Sequence, residues 1–152
     1  MTTNDRRRPV PLREAPWVRA AARQLVAWGI RPNAISALGL GSSIVAAGCL
    51  LLAQDQRGEL RTLLFVLAGV GIQLRLFCNL IDGLVAVEGR LGAPTGELWN
   101  ELPDRLSDAI CLIAAGYAST SLGGGVTLGW LAALLAVFTA YVRALGTAVG
   151  AR

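Results

Sequence analysis

Apolar positions dominate four long stretches of the chain, separated by short polar breaks and preceded by a polar leader. Residues 34–53 carry no charge, and at 1.5 Å per residue they are long enough to cross about 30 Å of hydrocarbon. The polar run 54–61 (QDQRGELR) ends that stretch. Further spans are predicted over 62–87, 98–120 and 126–146, with polar breaks at 88–97 and 121–125. Upstream, residues 16–29 predict a short amphipathic helix whose first turn suits Pro16. At 100° per residue, Trp17, Ala21, Leu25 and Trp28 fall on one face, with Arg19 and Arg23 opposite. That is the pattern of a helix lying in the membrane interface, with tryptophan at headgroup level. Residues 1–11 are basic and proline-containing, and are expected to be disordered. The expected fold is an all-α polytopic membrane protein. A basic segment with an interfacial amphipathic helix (1–30) precedes a domain of four transmembrane helices (31–152). Within the first span, Gly39, Gly41, Ser42 and Ser43 are small enough to permit close helix packing.

Composition agrees with the pattern. Of 152 residues, 54% are apolar and 16% charged, against about 25% charged in soluble domains. Mean hydropathy is +0.54. These values exclude a disordered tail, a collagen-like repeat and an ordinary water-soluble enzyme. The chain has no histidine and no lysine, which removes His-based triads and His-ligated metals. Cys49, Cys78 and Cys111 sit in apolar runs without a C-x-x-C pair, and read as small buried hydrophobes.

Charge sets the expected orientation. Seven of the 14 arginines (Arg6, Arg7, Arg8, Arg13, Arg19, Arg23 and Arg31) precede Asn33. The leader contains Pro9, Pro11, Pro16 and acidic residues, unlike a signal peptide. Under the positive-inside rule the N-terminus is cytoplasmic. Four spans then put both termini and the 88–97 loop of a multi-pass cell-membrane protein on that side. The leader is suited to anionic headgroups. Nucleic-acid binding is the competing reading of an arginine-rich segment. Beside so strong a membrane pattern, no nucleic-acid partner is expected.

Ionisable groups at membrane depth cost about 2.5–3.5 kcal/mol on insertion scales and mark function by default. Here they are ordered. Asn79, Asp82, Gly83 and Ala86 fall at i, i+3, i+4 and i+7 and share one helical face. Glu97, Asn100, Glu101, Asp104 and Asp108 share an arc at the head of the third span, whose first turn Pro103 is expected to disturb. Oxygen donors without histidine or cysteine suit Mg²⁺, Mn²⁺ or Ca²⁺. Gly83 and Ala86 are small enough to admit a bulky ligand to the backbone. Structural readings stand beside these. Asp82 and Asp104 are also candidates for ion pairs with Arg75 or Arg105. Asn79 and Asn100 equally suit interhelical hydrogen bonds, and Asp108, one turn deeper, equally suits a buried pair with an arginine. Asn33 reads as a helix N-cap with Ser36 in the first turn, and Trp99 and Trp130 read as interfacial anchors. A channel or proton-coupled transporter would carry its carboxylates deep in the spans, whereas these cluster near one membrane face.

The spacing resembles the CDP-alcohol phosphatidyltransferase family, whose motif runs D-x-x-D-G-x-x-A-R-x8-G-x3-D-x3-D. This chain reads N-L-I-D-G-L-V-A-V, eight residues, then G-E-L-W-N-E-L-P-D, without a gap. Asp82, Gly83, Ala86, Gly96 and Asp104 match. Asn79 and Asn100 stand at two aspartate positions, and Val87 stands at the arginine. Pro32, Asn33 and Ser36 look like the family's P-N-x-x-S/T stretch opening the first span. The resemblance implies transfer of a substituted phosphate group from a CDP-linked lipid donor, such as CDP-diacylglycerol, to an alcohol acceptor, with release of CMP. It implies Mg²⁺ or Mn²⁺ held by Asp82, Asn79, Asn100 and Asp104, with Asp104 also as general base. Gly83, Ala86, Gly96, Pro32, Asn33 and Ser36 would contact substrate. Lipid substrates would enter laterally between the spans, and a homodimer is implied. Arg75, Arg90 or Arg105 would supply the phosphate contact that Val87 lacks, and Glu88, Glu97, Glu101 or Asp108 the missing negative charge. The family usually has six spans, so this chain reads as about two short. The alternative is a catalytically impaired pseudoenzyme, or a binding or partner protein, on the same fold.

Overall fold

The computed structural model describes residues 15–88, 96–119 and 123–150, with side chains described at 15–85, 101–119 and 123–150. The segment expected to be disordered, 1–11, lies outside the described residues. Among the described residues five helices follow in order: α1 (Pro16–Ala27), α2 (Pro32–Ala53), α3 (Gly58–Glu88), α4 (Gly96–Ala118) and α5 (Gly125–Ala148). Each forms where the apolar pattern predicts a helix, and each ends at a polar or glycine-rich break. Gly29, at φ +72°, closes α1, with its N–H donating to the Val26 carbonyl; a left-handed residue there suits glycine. Pro32 opens α2 with Arg31 as its N-cap, so Asn33 lies inside the first turn and is not the cap. Proline's fixed φ is already helical, which starts the helix two residues earlier than an Asn33 cap would. The connections before α3 and α5 are short, so α2–α3 and α4–α5 run antiparallel.

Among the described residues, three helices are long and apolar enough to cross a membrane: Pro32–Ala53, Gly58–Val85 and Gly125–Ala148. The chain is therefore an all-helical protein of membrane character. α4, expected as a fourth span, has the length but not the composition, because five ionisable residues lie between Glu97 and Asp108. Helix α4 runs through Pro103 without a break.

Packing is inverted relative to a soluble domain. Small residues lie inside: Ser43, Ala46 and Ala53 of α2, Ala68 of α3, Ala114 and Ala118 of α4, and Ala133 of α5 are all buried. Large apolar residues face outward, with Val45 65%, Leu52 62%, Val70 60%, Leu134 66% and Phe138 59% exposed. Water-soluble monomers rarely leave so much contiguous apolar surface open, whereas lipid-facing helices do, with small residues at their contacts. Gly39, Ser42 and Ser43 are buried, as their size predicts, but Gly41 faces outward.

Helix α2 is central, packing along both α3 and α4, while α4 pairs with α5 and α3 barely touches α4. Helix α1 docks on the C-terminal third of α3. Val18 and Ala22 are buried against Ile35, Cys78, Ile81 and Val85. The packed face is thus one residue around from the Trp17–Ala21 stripe, because the small Val18 and Ala22 allow closer approach. Trp17 and Trp28 stay 56% and 68% exposed, and Trp17 stacks on Phe77 with ring centroids 6.2 Å apart.

Candidate functional site

One end of the bundle gathers the start of α2, the end of α3 and the start of α4. On α3, Arg75, Cys78, Asn79 and Asp82 fall at i, i+3, i+4 and i+7, forming one stripe. Opposite lie Ser36, Gly39 and Leu40 of α2 and Pro103, Asp104 and Ser107 of α4, and these ten residues line one pocket. Its free volume is about 10 Å³, the room of roughly one water molecule. Gly39 lets α2 and α3 meet here, since a Cβ on it would lie 3.1 Å from Cys78 Cβ.

The polar contacts are specific. Asp82 is 2% exposed, and its Oδ2 accepts a 2.7 Å hydrogen bond from the Ser36 hydroxyl across 46 residues of sequence. A charge-assisted bond of that length holds the carboxylate in one rotamer. Replacing Ser36 with alanine is expected to destabilise the fold by about 1.5–3 kcal/mol, the scale of a buried hydrogen bond to a charged group. Unfolding of the chain in detergent by added dodecyl sulfate measures this. Thr139→Ala, whose exposed hydroxyl bonds within α5 to the Leu135 carbonyl at 2.8 Å, should leave the midpoint unchanged.

Arg75 is 9% exposed and ties α3 to α4. Its Nη2 lies 2.9 Å from Asp108 Oδ1 and 3.5 Å from Asp104 Oδ1. The same group donates to the Asp104 carbonyl at 3.1 Å. Arg105 pairs with Asp108 at 3.1 Å and with Glu101 at 3.2 Å. Arg143 of α5 reaches Glu101 at 2.6 Å. The described acids of α4 are thus each within 3.5 Å of an arginine.

Of the residues singled out in the sequence, Ser36, Asn79, Asp82 and Asp104 line the pocket together. Gly83, Pro32 and Asn33 do not: Gly83 follows Asp82 on the adjoining face of α3, Pro32 contributes its carbonyl to Ser36 at 3.2 Å, and Asn33 is exposed. The side chains of Ala86, Gly96 and Asn100 lie outside the described residues. Of the arginines considered for phosphate, Arg75 joins the wall; it stands four residues before Asn79 on the same helical face, and that spacing is its signal in the sequence. Ser107 joins it with no such signal. Asp108 is resolved as an arginine-paired acid.

As an oxygen site, the pocket offers the Asp82 and Asp104 carboxylates, the Asn79 carboxamide and the Ser36 hydroxyl, all hard donors of the kind Mg²⁺ and Mn²⁺ take. Among the described residues, no three acids or cysteines converge as a ready metal cage. Comparison with family models, with curated proteins and with solved structures finds no match to this chain.

Proposed function

We propose that this chain is a membrane phosphotransferase of phospholipid synthesis, moving a substituted phosphate group from a CDP-linked donor to an alcohol with release of CMP. What carries the reading is the convergence of Ser36, Asn79, Asp82 and Asp104 from three helices on one pocket. These are the positions that the motif resemblance marks, and they lie up to 68 residues apart in sequence.

In this reading Asp82, Asn79 and Asp104, with Asn100 one turn before Asp104, hold Mg²⁺ or Mn²⁺. When bound, the cation offsets the negative charge of the donor's phosphates. Asp82, fixed by Ser36, is the anchoring carboxylate. Asp104 takes the proton of the acceptor hydroxyl as its oxygen bonds to the distal phosphorus and the bond from that phosphorus to the CMP oxygen breaks. A base in that role must come within hydrogen-bond reach of the hydroxyl. The pocket as packed is too small for a phosphate, so substrate entry requires α4 to move from α3; beyond the Arg75 pairs few contacts join those helices, which makes that the seam to open. Lipid substrates enter laterally through this seam.

The cytoplasmic side is the site end. Arg19 and Arg23 of α1 and the α2 N-cap Arg31 belong to this end, while Arg57 and Arg61 lie at the other, which accords with the positive-inside rule. Helix α1 then rests in the interface with Trp17 and Trp28 toward headgroups, and α4 completes a four-span bundle with both termini cytoplasmic. Pairing into a homodimer would cover part of the exposed apolar surface.

The test is CMP release by the purified chain with Mn²⁺, across a panel of CDP-linked lipids and alcohols. Turnover with any pair supports the reading, and none with every pair refutes it. A second reading, a non-catalytic binding protein on this fold, is favoured by the arginine pairing of Asp104 and Asp108; tight CMP binding without turnover would mark it. Restoring the motif's charges by Asn79→Asp with Asn100→Asp is expected to tighten Mn²⁺ binding, as more anionic ligands do. Unchanged affinity in Mn²⁺ titration followed by electron paramagnetic resonance would contradict that.

A further inference from the structure

Arg75 is more than a tether. Its side chain is 10% exposed, and it lines the pocket beside Asn79 and Asp82. The acceptors on α4 meet its Nη2. Its Nε is buried and, among the described residues, has no hydrogen-bond partner. A buried donor left without an acceptor is costly, more so on a charged group. A purely structural ion pair would gain by turning both edges of the planar fork to carboxylates. Holding Nη2 on α4 while Nε stays uncommitted suits a cation that must also receive an anion.

We propose that Arg75 is the phosphate-contacting residue of this pocket. It supplies from the N-terminal end of the α3 stripe the positive charge that Val87 does not. The ligand is a phosphoryl group, from a soluble nucleotide or a phospholipid headgroup. A guanidinium meets two phosphoryl oxygens side by side, which an ammonium cannot match. Asp108 competes with that anion for the guanidinium, and Asp104 stays within reach of the same ligand. The inference rests on the phosphotransfer reading for the identity of the anion.

The experiment uses the full chain in phosphatidylcholine nanodiscs, with CMP as the probe and calorimetry as the readout, with Mn²⁺ and again in EDTA. Arg75→Gln should weaken CMP binding about tenfold to a hundredfold, the scale of one charged hydrogen bond, and Arg75→Lys should fall between. Asp108→Asn should strengthen binding, because it releases the guanidinium. A structural tether predicts the opposite sign: Asp108→Asn would then weaken binding as Arg75→Gln does, and that result overturns the proposal. Wild-type affinity in Arg75→Gln, alongside Mn²⁺-dependent binding that Asp82→Asn abolishes, overturns it while leaving the phosphotransfer reading standing. Absence of CMP binding in every form, Mn²⁺ present or not, overturns both. Repeating the titration with phosphatidate in the discs separates the two sources. Competition in wild type that vanishes in Arg75→Gln assigns the headgroup, and no competition assigns the nucleotide. Circular dichroism of each variant checks that the helices remain.

Discussion

Asp104→Asn is expected to lower CMP release by about 10²–10⁴-fold, the range that a positioned general base contributes. Asparagine keeps the volume and the pocket wall but does not take a proton at neutral pH. The Arg75 bond to the Asp104 carbonyl, 3.1 Å, is to backbone and survives the change. The substitution weakens the long side-chain pairing of 3.5 Å and leaves Asn79 a carboxamide in place of a carboxylate partner, while the 2.9 Å pair with Asp108 remains. Stability should therefore move little while turnover collapses. Release of CMP and the dodecyl sulfate unfolding midpoint, measured on the same preparation, decide it. A variant that unfolds more readily yet turns over normally would make Asp104 an ion-pair residue and remove the base.

The second large effect lies away from the pocket, where α4 crosses α5. A Cβ on Gly116 would sit 2.7 Å from the Gly125 carbonyl and 2.8 Å from Gly129 Cα; one on Gly129 would meet Gly116 Cα and the Leu112 carbonyl at 2.8 Å. All of these neighbours are backbone, so no rotamer change relieves the clash and the helices must part. Gly116→Val or Gly129→Val is expected to cost about 1–3 kcal/mol or more, the usual penalty of overpacking. Activity should fall too, because α4 carries Asp104, and displacements near 1 Å can cost about 10²-fold. Gly41→Ala is the control: among the described residues, nothing lies within 4 Å of a Cβ there. If the valine variants unfold at the wild-type midpoint, the close crossing is not a feature of the folded protein.

Particular residues show how far the sequence reaches. The Asn79–Asp82 face follows from 3.6-residue periodicity alone, and the pocket does gather both. The same periodicity extended one turn back reaches Arg75, yet nothing in the sequence says that its partners are Asp104 and Asp108, 29 and 33 residues on. Ser36 and Asp82 are paired across 46 residues by the α2–α3 crossing. That crossing depends on which small residues meet, and Gly39 meets α3 while Gly41 does not. The expected stripe of α1 lies one residue from its packed face because tryptophan's preference for the membrane interface singles out Trp17, whereas close packing on α3 takes the smaller Val18 and Ala22.

Local chemistry therefore settled what local forces decide. Apolar run length, proline and glycine placement and the lack of charge determined the helices, their breaks and the membrane character of three of them. Helical geometry placed the acids and carboxamides on shared faces. Pairing belonged to the tertiary structure, because it depends on the offsets at which helices cross and on which arginine reaches which carboxylate. Burial of small residues set those offsets, and they brought Ser36 to Asp82, turned Arg75 toward α4 and made a small pocket from three helix ends.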